Sequence, residues 1–246
     1  MNGLLDESLI DLQMSILDEP DAYDHVIKCH LYLRLRNQYV KPLLCDQVSM
    51  NKFEPLFNEV TGKRQVIGKY ITGLLVFMAT DETSTEITPI YQPVCLDWKD
   101  YDGSAQKDRY VIQDTGYGNY YIYDGNDFAV VSEAEKNKLV ANYRKDMSFI
   151  HTIGGANYDP FNAAHDVTAC LVTFQLIYKL LDETPSETLF VTNGIREIRS
   201  DQTSPIKHMF IFSGEAIKEH QAAPAKYANR SHLCPPCSTI FGFDLA

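Results

Sequence analysis

The stretch His151-Thr-Ile-Gly-Gly-Ala-Asn-Tyr-Asp-Pro-Phe-Asn-Ala-Ala-His165-Asp166 gathers the side chains best suited to moving protons. Histidine titrates near neutral pH, and a carboxylate such as Asp159 or Asp166 can hold its ring in one orientation. The stretch is expected to join two helices, next to a helix N-terminus whose free amides favour anions. An enzyme built here would be cofactor-independent, with His151 or His165 as general acid and base and Asp159 or Asp166 as the orienting group. The same residues also have purely structural uses. Gly154 and Gly155 permit a tight turn, Asp159 can cap a helix, and His165 and Asp166 fit an exposed first turn. No nucleophile and base stand at a recognisable spacing, so the sequence names no reaction.

A second group is His232-Leu-Cys234-Pro-Pro-Cys237. Its imidazole and two thiols are three of the four ligands that tetrahedral zinc requires, and His220 or Cys95 would have to supply the fourth. That would make the chain a small metal-stabilised module. A thiol–disulfide pair is the alternative chemistry, but such pairs sit between a strand and a helix, and Ser238-Thr-Ile-Phe-Gly does not pattern as a helix. A structural tail is the third reading of the group. The other cysteines, Cys29, Cys45, Cys95 and Cys170, are scattered among apolar residues, as small core side chains are. They form no dense disulfide framework, so a reducing compartment is expected.

A third group is aromatic. Trp98, Tyr101, Tyr110, Tyr117, Tyr120, Tyr121 and Tyr123 fall in one β-patterned region, and Trp98, Tyr117, Tyr120 and Tyr121 are its candidate binding residues. Exposed aromatic side chains offer large contact areas with a polar handle, and tyrosines also stabilise neighbouring strands without any ligand. The turn Asp124-Gly-Asn-Asp127 carries oxygens that suit calcium, but it lacks the ligand ladder and terminal glutamate of an EF-hand loop. Gly214, at an expected strand-to-helix junction, falls well short of a phosphate-binding loop.

The elements that must position these groups follow from periodicity. Leu5, Leu9, Leu12 and Ile16 recur at helical spacing, giving an acidic amphipathic helix over about 3–19. The segment from Ala22 to Val40 is ambiguous: Leu31, Leu33 and Leu35 alternate with polar residues, as in a strand, and the stretch before them could equally be helix. The β-branched and bulky residues from Val66 to Phe77 read as a buried strand, whereas Pro93 limits Ile90–Trp98 to an edge strand at best. Tyr110–Gln113, Tyr120–Tyr123 and Phe128–Val131 form a meander, separated by 116–119 and 124–127, which are rich in Gly, Asn and Asp. Ser132-Glu-Ala-Glu135 has the form of a capping box that opens a helix to about Met147.

Val167, Cys170, Leu171, Phe174, Ile177, Tyr178 and Leu181 line one face of an expected central helix over about 160–182. Asn193-Gly194 reads as the turn of a hairpin between Leu189–Thr192 and Ile195–Arg199. A strand follows at Ile206–Phe212, then a short helix to about His220. The tail from about 222 to 246 reads as irregular.

The sum is one α+β domain over 1–246, a largely antiparallel sheet packed on the central helix and further helices. Of 246 residues, 33 are acidic and 22 basic, for a net charge of −11. That balance disfavours phosphate backbones and anionic membranes, so neither a nucleic-acid nor a membrane partner is expected. Residues 1–27 hold seven acidic residues and no Lys or Arg, which suits a protein partner of basic character. The N-terminal sequence has no secretory-signal pattern, and the expected location is cytoplasmic. The leading functional expectation is therefore a protein-interaction or ligand-binding domain without a cofactor. The histidine-loop enzyme and the zinc module are the alternatives.

Overall fold

A computed structural model describes residues 16–17, 26–27, 29, 44–61, 70–81, 87–99, 111–147, 169–182, 187–197, 206–214, 227–228 and 232–234. Its strands are β1 (Ile16–Leu17), β2 (Leu44–Ser49), β3 (Tyr70–Thr80), β4 (Ile87–Lys99), β5 (Val111–Tyr117), β6 (Tyr120–Tyr123), β7 (Phe128–Val131), β8 (Ala169–Thr173), β9 (Thr188–Glu197), β10 (Ile206–Ser213), β11 (Tyr227–Ala228) and β12 (His232–Cys234). Three of its helices are α1 (Met50–Thr61), α2 (Glu133–Met147) and α3 (Phe174–Asp182), and residues 26, 27 and 29 are also helical.

The strands form two antiparallel sheets. One runs β1-β11-β10-β9-β2; the other runs β12-β8-β3-β4-β6-β7, with β5 also paired to β4. The architecture is α+β. Both sheets feed one core: Val48, Leu189, Val191, Phe210 and Phe212 meet Leu74, Val76, Met78, Tyr91 and Val172. Phe53 and Leu56 of α1 and Phe174, Ile177 and Leu180 of α3 complete it. Neighbouring side chains on a strand point to opposite faces. Phe77 accordingly faces away from that core, where Lys136 of α2 sits 4.9 Å above its ring.

Local chemistry fixes the meander. Asp124 Oδ1 accepts from the amides of Asn126 and Asp127. Gly125 adopts φ 93°, a backbone state that favours glycine. Ser132 Oγ accepts from the Glu135 amide and starts α2.

Several sequence expectations are corrected. The expected central helix over 160–182 begins only at Phe174. Residues 160–168 lie outside the described residues, and Ala169–Thr173 is β8, buried at every position. It is paired on both edges, by β3 and β12, and buried on both faces, so its apolar run also fits a helix pattern. Thr173 then caps α3, its Oγ1 accepting from the Leu176 amide at 3.2 Å. Tyr178, expected on the apolar stripe, is 46% exposed.

Asn193-Gly194 makes no turn. β9 runs straight through it, pairing Asn193 with Phe210 and Gly194 with Met209. Both residues are buried, and pairing with β10 holds them extended.

β4 is an interior strand despite Pro93. The Pro93 carbonyl accepts from the Gly118 amide at 2.8 Å. A residue's N and O face the same neighbour, so the proline nitrogen also faces the β5–β6 junction, where the ladder is broken anyway. A Cβ on Gly118 would stand 2.4 Å from the Pro93 ring, so only glycine passes there.

At the ends of the chain, Ile16–Leu17 forms β1 instead of the last turn of the acidic helix, whose other residues lie outside the described set. The tail is not wholly irregular, because it contributes β11 and β12.

Candidate functional site

The most distinctive polar group in the described residues lies at a defect in β2. Opposite β9, Leu44 pairs with Thr192 and Asp46 with Val191, which leaves Cys45 as the extra residue of a bulge. Bulges re-aim side chains and recur beside functional sites. Beyond the bulge Asp46 shares a strand face with Val48, a fully buried core residue. A carboxyl thus occupies a position that the pattern assigns to the core.

Asp46 is 8% exposed. Its Oδ2 accepts from the hydroxyl of fully buried Tyr91 at 2.5 Å. Burial pushes its pKa up to about 6, against the opposing effect of the Tyr91 hydrogen bond. No cation acts on it among the described residues. Burial, together with the nearby Asp46 carboxyl, holds the Tyr91 hydroxyl well above its ordinary range. The Cys45 thiol is raised by burial, then by Asp46 and Cys29, against hydrogen bonds with Asn193. Burial raises the Cys29 thiol as well. Both thiols stay protonated near neutrality, which leaves them weak nucleophiles. The group able to change charge near neutral pH is Asp46.

Asp46 and Cys45 open onto a cleft of about 680 Å³ walled by Gln47 of β2, Ile87–Pro89 of β4 and Ile122–Gly125 of the β6–β7 hairpin. At its rim, amides of Asp127 and Asn126 hold the Asp124 carboxyl below its ordinary pKa. Asp124 is therefore ionised at the mouth.

Across the same hairpin lies a second groove of about 610 Å³, between α1 and residues 119–128. Glu59 clamps it. Its Oε1 accepts from the Asn119 amide and Nδ2 at 2.9 Å each, and its Oε2 from the Tyr121 hydroxyl at 2.7 Å. At the far end Lys52 Nζ stands 3.3 Å from Asp127 Oδ2. Phe128 joins the two regions, its ring packing on Phe53, Tyr91, Tyr121 and Tyr123.

The aromatic candidates do not form one platform. Tyr121 faces α1 through Glu59. Tyr120, its neighbour, faces α2, stacked edge-on against Phe77 with Lys136 Nζ 4.9 Å above its ring. Tyr117 is half-buried at the end of β5. Trp98 lies in β4 opposite Ile112 of β5.

His151, Asp159, His165 and Asp166 lie outside the described residues, as does Cys237. His232 and Cys234 fall in β12, opposite Leu171 and Ala169. Cys95 lies in β4, three strands from β12. At about 4.8 Å per strand it is too far away to complete a zinc site with them. Among the described residues no group of three His, Cys, Asp or Glu side chains could hold a metal ion, and no helix is long and apolar enough to cross a membrane.

Sequence reasoning missed Asp46 and Tyr91. The available signal was Leu44-Cys-Asp-Gln-Val48, an acid inside a short strand on the same face as a core valine. Compared with known proteins, the chain matches no family model, no curated protein and no solved structure.

Proposed function

We propose that the chain is a binding module whose cleft receives a cationic end group, an ammonium or guanidinium, against Asp46. One observation carries this: a carboxyl nearly removed from water, on an open cleft, with one neutral hydroxyl as its partner among the described residues. A buried carboxylate without a counter-charge is unfavourable, and a ligand cation supplies the missing charge where water cannot screen it. Ionised Asp124 at the rim and a net charge of −11 draw cations toward the mouth. The cation can belong to a small amine or to a Lys or Arg of a protein partner, which fits the basic partner expected from the acidic N-terminal segment.

Calorimetric titration with n-butylguanidinium and n-butylamine, and with n-butyrate as control, tests the assignment. Both cations should bind at pH 7.5 and butyrate should not. Asp46→Asn should weaken the cations at least ten-fold, on the order of 2 kcal/mol, as loss of a buried charge partner does. Equal affinity for wild type and Asp46→Asn would refute the assignment.

A further inference from the structure

We propose that the outer edge of β7 receives an extended segment of a partner protein, added as a further strand, whose apolar middle is flanked by Lys or Arg. β7 itself does not line the Asp46 cleft, although Asp124 belongs both to the rim of that cleft and to the acidic flank of the edge. β7 ends the order of its sheet and, among the described residues, pairs with β6 alone. The Asp124 amide donates to the Asp127 carbonyl and closes the hairpin. Alternation from that pair turns the backbone groups of Ala129 and Val131 toward β6, and those of Phe128 and Val130 outward. Asp127 Oδ1 takes the Phe128 amide. The Phe128 carbonyl and both groups of Val130 then face away from the sheet, and the Val130 side chain is 67% exposed.

Phe128-Ala-Val-Val131 carries no lysine, proline or bulge of the kind that guards many edge strands, and is protected only by its four-residue length and its acidic flanks. Donors and acceptors on a strand repeat are matched by another extended chain, the mode known as strand addition.

Charge selects which chain. Asp124 and Asp127 precede the strand, and Glu133 and Glu135 follow it. An antiparallel second copy would bring Asp127 toward Glu133 of its mate, a like-charge pairing that opposes the dimer. The same flanks favour a partner with basic residues on either side of its apolar centre. Lys52 offsets part of the Asp127 charge. Lys136 is buried over the Phe77 and Tyr120 rings.

The test titrates the ¹⁵N-labelled chain with the peptide KKVTVKK, and with EEVTVEE as control. Amide shifts from the basic peptide should centre on 128–132, and the acidic peptide should give none. Val130→Pro removes an outward N–H without touching the β6 ladder, and should weaken KKVTVKK ten-fold or more with an unchanged unfolding midpoint. If Val130→Pro unfolds, the peptide carries the test. N-methylation of the alternate residues that face β7 should abolish binding, and methylation of the intervening ones should not.

Equal binding of the acidic peptide, shifts centred elsewhere, or indifference to both Val130→Pro and N-methylation would overturn the proposal. So would sedimentation showing a wild-type dimer that Val130→Pro dissolves. Because a peptide lysine can also enter the Asp46 cleft, the titration is repeated with Asp46→Asn, where the shifts at 128–132 should persist. Their loss in that variant would assign the peptide to the cleft and sink the edge proposal.

Discussion

The β6–β7 hairpin separates two carboxyl groups in opposite circumstances. On the α1 side, half-buried Glu59 accepts three hydrogen bonds from the hairpin it holds. On the β2 side, Asp46 is nearly out of water and accepts one, from Tyr91. A carboxylate whose acceptor sites are filled by its own chain is a clamp. One that is buried and left short of donors makes the fold less stable as it ionises, and groups of that kind concentrate at binding sites. The two clefts are similar in volume, so the supply of donors, and not the space, separates the clamping acid from the one proposed to bind a cation.

The largest expected difference lies in the sign of two substitutions. Asp46 has its pKa raised from 3.8 to about 6, so the folded chain holds that proton more tightly than the unfolded one. Its contribution is therefore most favourable below about pH 3.8 and declines as pH rises through about 6. Asp46→Asn keeps an acceptor for Tyr91 and removes the ionisation. It should raise stability at pH 8 by up to about 3 kcal/mol and should bring no such gain at pH 3.5, as measured by urea unfolding at both pH values.

Glu59→Ala should do the opposite, lowering stability by about 1–3 kcal/mol at either end of the pH 6–8 range, because the Asn119 and Tyr121 donors lose their acceptor. A stabilising Glu59→Ala would erase the contrast between the two sides. Smallest of all, Lys52→Ala should shift stability by less than about 1 kcal/mol, since its pairing with Asp127 is largely solvated.

The elements legible in the sequence are those that local chemistry determines. The Asp124 turn and the Ser132 cap are set by side chains bonding to backbone two or three residues away, so a short window of sequence suffices. The elements misread are those decided by distant neighbours. Asn193-Gly194 has turn chemistry, but pairing with β10 holds it extended. Pro93 looks like an edge residue until Gly118, far along the chain, supplies the donor for its carbonyl. Ala169–Thr173 carries an apolar run common to buried strands and buried helices, and only its place between two strands decides it.

Asp46 was invisible for the same reason. Its partner Tyr91 is 45 residues away in sequence, and a bulge sets its direction. Tyr121 was legible as an aromatic at a strand surface. That it belongs to a clamp with Glu59, and faces away from Tyr120, required the two sides of the sheet to be known.

A pH titration of the Asp46 side-chain carboxyl carbon by NMR, with and without n-butylguanidinium, addresses the central claim most directly. The midpoint should fall near 6 in the free chain and move to lower pH when the cation binds, because the cation favours the ionised form. A midpoint near 3.8 would mean that Asp46 is an ordinary solvated acid, and one that the cation leaves in place would mean that the cleft does not use it.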